Sequence, residues 1–483
     1  MFEVTFLGHQ GWLVRSPSTC ILIDPILTER FGHGGHVGRV YPPRRIDVAA
    51  FPPVDAVVVT HEHDDHFDIP SLHRIDRDVP IHLSSRSSVA AFALLRQMGF
   101  EVAALPAGAT TAIGELRYRT FAPEHREARG ADEWDVFPFV VSDVAGHGSF
   151  ASSVDVAPPE AMLRALAEQG GEVGVWAHAN NITYAGFADA LGTTAGASGD
   201  DERMAAAFAR RYARIVEACG APQRTLVCGS GWSVPAPRRW LNTNAFPVSC
   251  EALARGIAAR CPGIDVAAAR AGETTRMADG RVQPGVSAEA FLATTERATW
   301  PDRDYRGDVT TTPPYEPACR RRTLTDVERE QLPEALTPLA EHWYARDAFR
   351  ALHSLPEVLP RGLEAAVGLS LLDDGAPLTM RYLPSACAFV PDATVTPIAT
   401  FASGLECWGS DLLDLLRGDL PPTALCNAGR LRYWNHDPTR LRIAPDDLWT
   451  FAQPLRRPAA AQRVYVGLLR AEPTEVAVVP ARR

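Results

Sequence analysis

Lysine is absent from the 483 residues, so all 48 basic side chains are arginine. Its absence excludes chemistry that needs a lysine amine, such as Schiff-base and pyridoxal enzymes, Ser–Lys catalysis and nucleotide-binding P-loops. The chain also has no Gly-x-Ser-x-Gly, and no Gly-x-Gly-x-x-Gly opens a helix. These are the patterns of serine hydrolases of the α/β type and of dinucleotide-binding domains. The function of the protein must therefore depend on other chemistry.

Long apolar runs and paired cysteines are lacking too. No run approaches the ~18 apolar residues that a membrane span needs, and the first residues show neither the basic region nor the cleavage site of a signal peptide. The nine cysteines have no Cys-x-x-Cys spacing, which favours buried, reduced thiols over disulfides. We therefore expect a cytoplasmic protein that does not bind a membrane.

Charge and length set further limits. The 48 basic and 58 acidic residues give a net charge of -10, and no basic stripe alternates with aromatics, so we expect no nucleic-acid partner. At about 150 residues per domain, the length predicts two or three domains. Strand and helix patterns mix in both orders over residues 1–300, which indicates an α/β domain. Residues 301–323 have a linker composition, and residues 324–483 are predicted to form a C-terminal α+β domain.

Local patterns place the main elements of the first domain. Strands are expected at Phe2–Leu7, Trp12–Arg15, Cys20–Asp24 and within residues 55–60. Four further segments have helical patterns, namely Ser87–Met98, Pro159–Gln169, Glu202–Cys219 and Ser249–Arg260. In the second domain, Thr325 and Glu328 have the spacing of a capping box, which predicts that a helix begins there.

A histidine-rich segment, Thr60-His-Glu-His-Asp-Asp-His66, follows a continuous apolar run typical of a strand buried on both faces. Side chains at positions i and i+2 of an extended segment point the same way, so His61 and His63 can bind one metal ion. Asp65 and His66, on the turn that follows, would face a second ion. A solvated, helix-capping loop is the alternative interpretation. Three histidines and an acid at fixed offsets favour the metal site.

This motif, with the segments Phe6–His9 and Ile21–Pro25, resembles the metallo-β-lactamase superfamily, especially the branch that contains ascorbate-6-phosphate lactonase. The resemblance implies an αββα sandwich with a binuclear metal site. Its ligands would be His61, His63, Asp65 and His66, a further histidine, a bridging aspartate and usually a final histidine.

The resemblance implies the later ligands as follows. His125 lies where the family's third motif is found, after one predicted strand and before a hairpin, and Asp155 ends that hairpin as the bridging acid would. His147 is the alternative to His125, although a histidine in a glycine-flanked turn is more often exposed. His178 ends a later strand and is the candidate for the final ligand, or else a buried histidine or a substrate contact. We expect Asp65, Asp155 and His178 to take part in catalysis.

Short segments in the same order resemble CMP-N-acetylneuraminate hydroxylase, among them Pro222–Trp232, Leu241–Asn244, Arg270–Thr274 and Tyr433–His436. That family joins a Rieske module to an oxygenase body, but this chain has no Cys-x-His followed by Cys-x-x-His. The resemblance implies a diiron oxygenase that hydroxylates or N-oxygenates a polar small molecule with O2 and two Fe ions. Electrons would come from a separate electron-donor protein or from the substrate.

The metal itself stays open, because histidine and carboxylate ligands suit Zn, Mn and Fe alike. A metallohydrolase with two Zn or Mn ions, acting on a lactone, ester or phosphodiester, is the alternative function. A binding protein with a decayed site is disfavoured because all four residues of the motif are present. The segments Gly409–Leu420 and Gly429–Arg432 also resemble the end of sterol carrier protein type 2 domains, which implies an architectural or substrate-covering C-terminal domain.

Polar residues near these motifs suggest the kind of substrate. Arginine is suited to bidentate contacts with carboxylate or phosphate, so a small polar or anionic substrate is expected, with surface solvation as the alternative. We expect Asp64 to orient a ligand, His9 and Asp24 to support the site, and His33 and His36 to lie on a loop that covers substrate or is simply solvated. The polar residues considered are Asn180, Asn181, Arg238, Arg239, Asn242 and Asn244.

Overall fold

The structure is a computed structural model that describes residues 1–482 with gaps. The residues outside the description are 33–34, 36, 125–133, 169–172, 182–190, 192–199, 230, 235–241, 243–245, 247, 286, 297–321, 347–348, 350, 375–376, 427–429, 438–439, 445 and 483. His33, His36 and most of the predicted linker at 301–323 therefore lie outside the described residues.

The elements of the first part of the chain are numbered in chain order. The strands are β1 (Phe2–Gly8), β2 (Gly11–Arg15), β3 (Cys20–Ile23), β4 (Arg30–Phe31), β5 (Gly38–Val40), β6 (Arg44–Ile46), β7 (Ala56–Val59), β8 (Ile81–Ser84), β9 (Val102–Leu105), β10 (Thr110–Ile113), β11 (Leu116–Thr120), β12 (Phe139–Asp143), β13 (Ser149–Ser152), β14 (Val175–Asn180), β15 (Arg224–Gly229), β16 (Trp232–Ser233), β17 (Asp265–Ala268), β18 (Glu273–Ala278), β19 (Arg281–Val282), β20 (Ser287–Ala288) and β21 (Leu292–Thr294). The helices are α1 (Ile69–His73), α2 (Val89–Gln97), α3 (Glu160–Glu168), α4 (Asp200–Cys219) and α5 (Cys250–Arg260).

Two mixed sheets are built from these strands. The first has the order β19-β18-β1-β2-β3-β7-β8-β9, with β20 also paired to β18. The second has the order β10-β11-β12-β13-β14-β15-β17. In each sheet, antiparallel strands on one side pass into parallel strands on the other. Strand β7 lies among the parallel strands and is wholly buried, which explains its unbroken valine run.

The two sheets pack face to face and each carries helices on its outer face. Phe6 and Trp12 from the first sheet share a core with Phe139 and Phe150 from the second. The outer face of the first sheet packs on α1 and α2, and that of the second on α3, α4 and α5. The layers therefore follow the order α, β, β, α, which confirms the predicted fold class.

The C-terminal part has its own α+β core. A five-stranded sheet of order β24-β23-β22-β25-β26 packs against helices that include the predicted capping-box helix, which begins after Thr325. The strands are β22 (Glu364–Leu372), β23 (Leu378–Leu383), β24 (Ala388–Asp392), β25 (Phe401–Trp408) and β26 (Leu431–Asn435), and the helices are α6 (Asp326–Ala335), α7 (Thr337–Tyr344), α8 (Pro397–Thr400), α9 (Gly409–Arg417), α10 (Pro422–Cys426), α11 (Asp446–Ala452) and α12 (Pro458–Ala471). Within the described residues, no helix combines the length and the apolarity that crossing a membrane requires.

The end of the chain returns to the first domain. Val464 and Tyr465 of α12 lie in the core beneath the first sheet, beside α1 and α2. Beyond α12, short bridges join Val479 to Ile75 and Ala481 to Val54. The segment from α12 onward thus packs against the first domain. The sequence analysis had included it in the C-terminal domain, residues 324–483.

Candidate metal centre

The histidine-rich segment lies at one edge of the sandwich, where strands of both sheets end. It begins directly after β7, and a turn closes where the His66 and Phe67 amides donate to the His63 carbonyl. Asp155 follows β13 of the second sheet, and His9 occupies the turn between β1 and β2. Because these strands end at the same edge, residues far apart in sequence meet there.

His61, His63 and Asp155 form one side of the centre. The Nε2 atom of His61 is 3.1 Å from Nδ1 of His63 and 3.3 Å from Oδ2 of Asp155. His61 is fully buried. Two ring nitrogens and a carboxylate oxygen within this span are a donor set that suits a transition-metal ion.

His66, Asp65 and His9 form the other side. The Nε2 atom of His66 lies 3.0 Å from Oδ2 of Asp155 and 3.9 Å from Oδ2 of Asp65. The Asp65 oxygen is also 2.9 Å from Nε2 of His9. Ligand atoms of His61, His66 and Asp155 all lie within 4.8 Å of one another, as do those of His9, Asp65 and His66. Oδ2 of Asp155 thus lies between the two histidines of the motif, where a carboxylate would bridge two cations.

Asp24 sets the orientation of both buried histidines. Its Oδ2 accepts the Nδ1 proton of His66 at 2.8 Å and the hydroxyl proton of Thr60 at 2.7 Å. Since the Thr60 hydroxyl donates to Asp24, its oxygen accepts the Nδ1 proton of His61 at 3.0 Å. These partners assign the Nδ1–H tautomer to His61 and leave its Nε2 lone pair facing the centre. Asp24 therefore does what the sequence analysis expected in general terms, which is to support the site.

This arrangement fits a bound cation. An unprotonated Nε2 of His61 that faces a carboxylate oxygen of Asp155 at 3.3 Å sets two lone pairs against each other. A cation between the two atoms satisfies both, and imidazole and carboxylate are ligands that Zn, Mn and Fe share.

The electrostatics agree with a cation site. Burial lowers the pKa of His61, and the neighbouring His66 and His63 lower it further, which keeps the ring neutral. Burial acts the same way on His66, but Asp155, Asp24 and Asp65 outweigh it and raise the pKa of His66 well above its ordinary value. The three carboxylates therefore concentrate negative charge at the centre, and positive charge is needed to balance it.

Two side-chain amides fix the Asp155 carboxylate. Nδ2 of Asn181 donates to Oδ1 of Asp155 at 2.7 Å, and Nε2 of Gln10 donates to the same oxygen. The other oxygen, Oδ2, is left to face His61 and His66. Nothing in the local sequence around Gln10 indicates this contact, because it joins residues of two different sheets.

Glu62 points away from the cations, although it lies between two of the motif's histidines. Its carboxylate accepts hydrogen bonds from the Ser88 hydroxyl and from the Tyr465 hydroxyl of α12, both at 2.9 Å. Burial, with a contribution from Asp135, raises the pKa of Glu62 to about 8. The same short segment thus binds the proposed cations with one face and the C-terminal helix with the other.

His178 is not brought into either group of ligands. Along β14, Val175 and Ala177 face the core between the sheets, so His178 points to the opposite, helix-covered face. Its ring packs on Phe208 and Tyr212 at centroid distances of 4.5 and 5.2 Å, and burial lowers its pKa to about 3. Among the described residues, neither ring nitrogen has a hydrogen-bond partner. His178 and Asp155 line the same cavity of about 320 Å³, which matches the alternative of a substrate contact more closely than a ligand.

The remaining predicted residues fall into two groups. His125 lies outside the described residues, as do Arg238, Arg239 and Asn244. His147 lies 3.5 Å from the exposed Asp279, at the turn that precedes β13, whereas Asp155 follows that strand. Asn242 and Asn180 bind backbone groups of Val234 and Val248, so their role is structural.

His9 has a more direct position than the sequence suggested. Its backbone φ of 52° is left-handed, and its carbonyl accepts the amide proton of Gly229. A Cβ on Gly231 would lie 2.3 Å from Cα of His9, so only glycine fits there. Gly231, which follows shortly after β15, therefore makes room for His9 beside Asp65.

Residues 19–176 match the family model described as the β-lactamase superfamily domain. Uncharacterized proteins of Mycobacterium bovis and Mycobacterium tuberculosis are each 38% identical over 71 residues, which is 14% of this chain. The chain aligns with 19% of the length of these curated relatives.

Two solved structures resemble the chain in shape. A possible metal-dependent hydrolase from Veillonella parvula is 18% identical and aligns over 57% of this chain and 99% of its own, with a TM-score of 0.40. CmlA, a diiron β-hydroxylase from Streptomyces venezuelae, is also 18% identical and aligns over 57% of this chain and 54% of its own, with a TM-score of 0.36. Residues 19–176 are thus similar to the β-lactamase superfamily domain, and the layered fold is the one that this resemblance implies.

Proposed function

We propose that this protein is a two-cation enzyme and that its reaction is hydrolysis of an ester, lactone or phosphodiester. One observation carries the proposal. Oδ2 of Asp155 lies 3.3 Å from Nε2 of His61 and 3.0 Å from Nε2 of His66, as a bridging carboxylate would.

The ligands divide between the two cations. His61 and His63 would hold the first, Asp65, His66 and His9 would hold the second, and Asp155 would be available to both. His125, which lies outside the described residues, remains the predicted third-motif ligand, with His147 as the alternative. His9 takes the place that the sequence analysis gave to His178, because His9 approaches Asp65 and His178 faces the other way.

The chemistry follows from this division. If bound there, metal cations would act as Lewis acids and make hydroxide available from water near neutral pH. The chain orients the ligands through Asp24, Thr60, Gln10 and Asn181, and it excludes bulk water by burying His61 and His66. Asp65 and Asp155 are the carboxylates nearest to the proposed cations. Either could accept the proton that a water molecule loses when it becomes the nucleophile. Besides these groups, hydrolysis needs only water, and it requires neither O2 nor an electron donor.

A diiron oxygenase is the second candidate. The segment Pro222–Trp232 resembles part of the oxygenase body of CMP-N-acetylneuraminate hydroxylase. It ends against the centre, since Gly231 packs on His9 and the Trp232 ring is 5.4 Å from the His9 ring. With two Fe ions, this candidate needs O2 and electrons from a separate donor protein.

Metal analysis and two activity assays separate the candidates. Protein grown with iron, zinc or manganese is analysed by plasma mass spectrometry, then assayed for hydrolysis of 1-naphthyl acetate and bis(4-nitrophenyl) phosphate, and for reductant-dependent O2 uptake. We expect two zinc or manganese ions per chain and hydrolysis of at least one of the two probes. Two irons with O2 uptake would select the oxygenase, and a chain that binds no metal would overturn both candidates.

A further inference from the structure

A second cavity adjoins the centre on the side of His63. It lies between the histidine-rich segment and the C-terminal part of the chain and has about 540 Å³ of empty space, open solvent included. Water-sized molecules have about 40 Å³ of that space, against about 320 Å³ in the cavity beside Asp155. The near wall contains Glu62, His63, Asp64 and Trp134. The far wall is almost entirely apolar and includes Leu415, Leu420, Pro421, Pro422, Trp449 and Val464. Segments from both domains therefore enclose a space that reaches a proposed metal ligand.

Two tryptophans flank His63 within this cavity. The Trp449 ring lies nearly parallel to the His63 ring, with 24° between the planes and 5.8 Å between the centroids. The Trp134 ring meets His63 edge-on at 6.0 Å, and its indole N–H donates to the Arg86 carbonyl, which fixes the ring. Large aromatic walls beside a few polar groups are typical of a site for a flat apolar group.

The charges of the lining do not favour an anion. The acids of the near wall are Glu62 and Asp64, and neither supplies a positive charge. Arg457 is the cation of the described lining, and its guanidinium donates to the Leu415 and Leu416 carbonyls that end α9. It also lies 4.9 Å from the centre of the Phe451 ring. Because its donors serve the helix end, Arg457 is poorly placed to bind a carboxylate or phosphate of a ligand.

We propose that this cavity binds an uncharged aromatic or aliphatic group of the substrate and directs an adjoining ester or lactone across His63 toward the cations. The inference rests on the two-cation function, because His63 is the link between the cavity and the reaction. It proposes a substrate with a neutral, apolar group, where the sequence analysis expected a small polar or anionic substrate. The cavity beside Asp155, which Arg211 and His178 line, is the competing route and would suit an anion.

The direct test is binding of the neutral fluorophore N-phenyl-1-naphthylamine to the full-length, metal-loaded protein. Trp449→Ala removes one wall, and Ala461→Phe fills the cavity from α12 without removing a tryptophan. Each should weaken binding about tenfold or more, the scale of a lost aromatic contact. Arg211→Ala, in the competing cavity, should bind the fluorophore as the parent protein does. All four proteins should keep the same metal content.

A kinetic comparison gives a second readout. With 1-naphthyl acetate as substrate, Ala461→Phe should raise KM and Arg211→Ala should leave it unchanged. Equal fluorophore binding by the parent, Trp449→Ala and Ala461→Phe proteins would overturn the inference, as would loss of binding in Arg211→Ala alone. The fluorophore reports on the cavity whether or not metal is bound. A chain that binds the probe but no metal would therefore contradict the two-cation function, whereas one that binds metal but no probe would contradict the apolar site alone.

Discussion

The Asp24 carboxylate accepts the Nδ1 proton of His66 at 2.8 Å, and both residues are buried. Through the Thr60 hydroxyl, the same carboxylate also fixes the His61 ring. One acid on the first sheet thus orients two imidazoles that we assign to different cations. Partners of this kind make ligands more basic and hold their geometry.

Asp24→Asn should therefore weaken metal binding. The amide keeps the shape but removes the charge and can present N–H groups to Nδ1 of His66. We expect metal affinity to fall about 10- to 100-fold, measured by competition with a chromogenic chelator. Asp265→Asn, at an exposed carboxylate that pairs with Arg224, is the matched control and should bind metal normally. Equal affinities for the two variants would contradict the role given to Asp24.

We predict different effects on metal content for variants of His9 and His178. His9→Gln should lower the content from two ions per chain to one, because the second cation loses a ligand next to Asp65. His178→Gln should retain two ions, because that ring faces α4. Plasma mass spectrometry of dialysed protein gives the count. If His178→Gln loses an ion and His9→Gln does not, the assignment of the second site is wrong.

Gly231→Ala should destabilise the protein. The new Cβ would lie 2.3 Å from Cα of His9, and overpacking of this kind costs about 1–3 kcal/mol. Gly467→Ala, on α12, is the control, since the methyl group it adds would have no described atom within 4 Å and alanine favours helix by about 0.5–1 kcal/mol. Urea denaturation should show a lower midpoint for Gly231→Ala only, and matching midpoints would argue against the close approach to His9.

Tyr465→Phe tests the contact between α12 and the histidine-rich segment. The hydroxyl donates to Oε1 of the buried Glu62, and the Ser88 hydroxyl, which donates to the same oxygen, remains in the variant. Loss of one of the two hydrogen bonds costs about 0.5–1.5 kcal/mol. We expect the free energy of unfolding to fall by that amount. Tyr344→Phe, at a residue that is 43% exposed, should change it little. Should both variants unfold alike, α12 would not support the segment as described.

His342 gives a pH-dependent prediction in the C-terminal domain. Burial, with Arg456 and Arg346, lowers its pKa from 6.5 to about 4. The unfolded chain therefore binds this proton more readily than the folded one, so the free energy of unfolding falls as the pH drops from about 6.5 towards 4. His342→Gln can still bond to the Thr450 hydroxyl but should lose less stability over that range. The free energy of unfolding is measured by urea titration at pH 4.5 and at pH 7. An equal fall between these pH values in the parent protein and in His342→Gln would contradict the lowered pKa.

The sequence predicts the layered fold well where side-chain patterns are local. The apolar run within residues 55–60 became β7, and the expected helix at Ser249–Arg260 is α5, capped by the Ser249 hydroxyl. The hairpin that Asp155 was expected to end stops earlier, because its second strand, β13, ends at Ser152. The residues just before Asp155 instead form the turn that carries it towards His61, and a strand-like composition does not reveal such a turn.

The centre itself was only partly predictable. The spacing of His61, His63, Asp65 and His66 is local, so the motif is visible in the sequence. The contacts of His9 with Asp65 and of Tyr465 with Glu62 join residues 56 and 403 positions apart. Such contacts depend on how strands and domains pack, which no local pattern encodes. For the same reason, the direction in which His178 points became clear only from its neighbours on β14.

Anomalous X-ray diffraction from crystals of the metal-loaded protein tests the two-cation claim most directly. We expect two peaks at the edge of the sandwich, one beside Nε2 of His61 and Nδ1 of His63 and the other beside Nε2 of His66 and Oδ2 of Asp65, with Asp155 between them. A single peak, or peaks remote from these atoms, would contradict the claim.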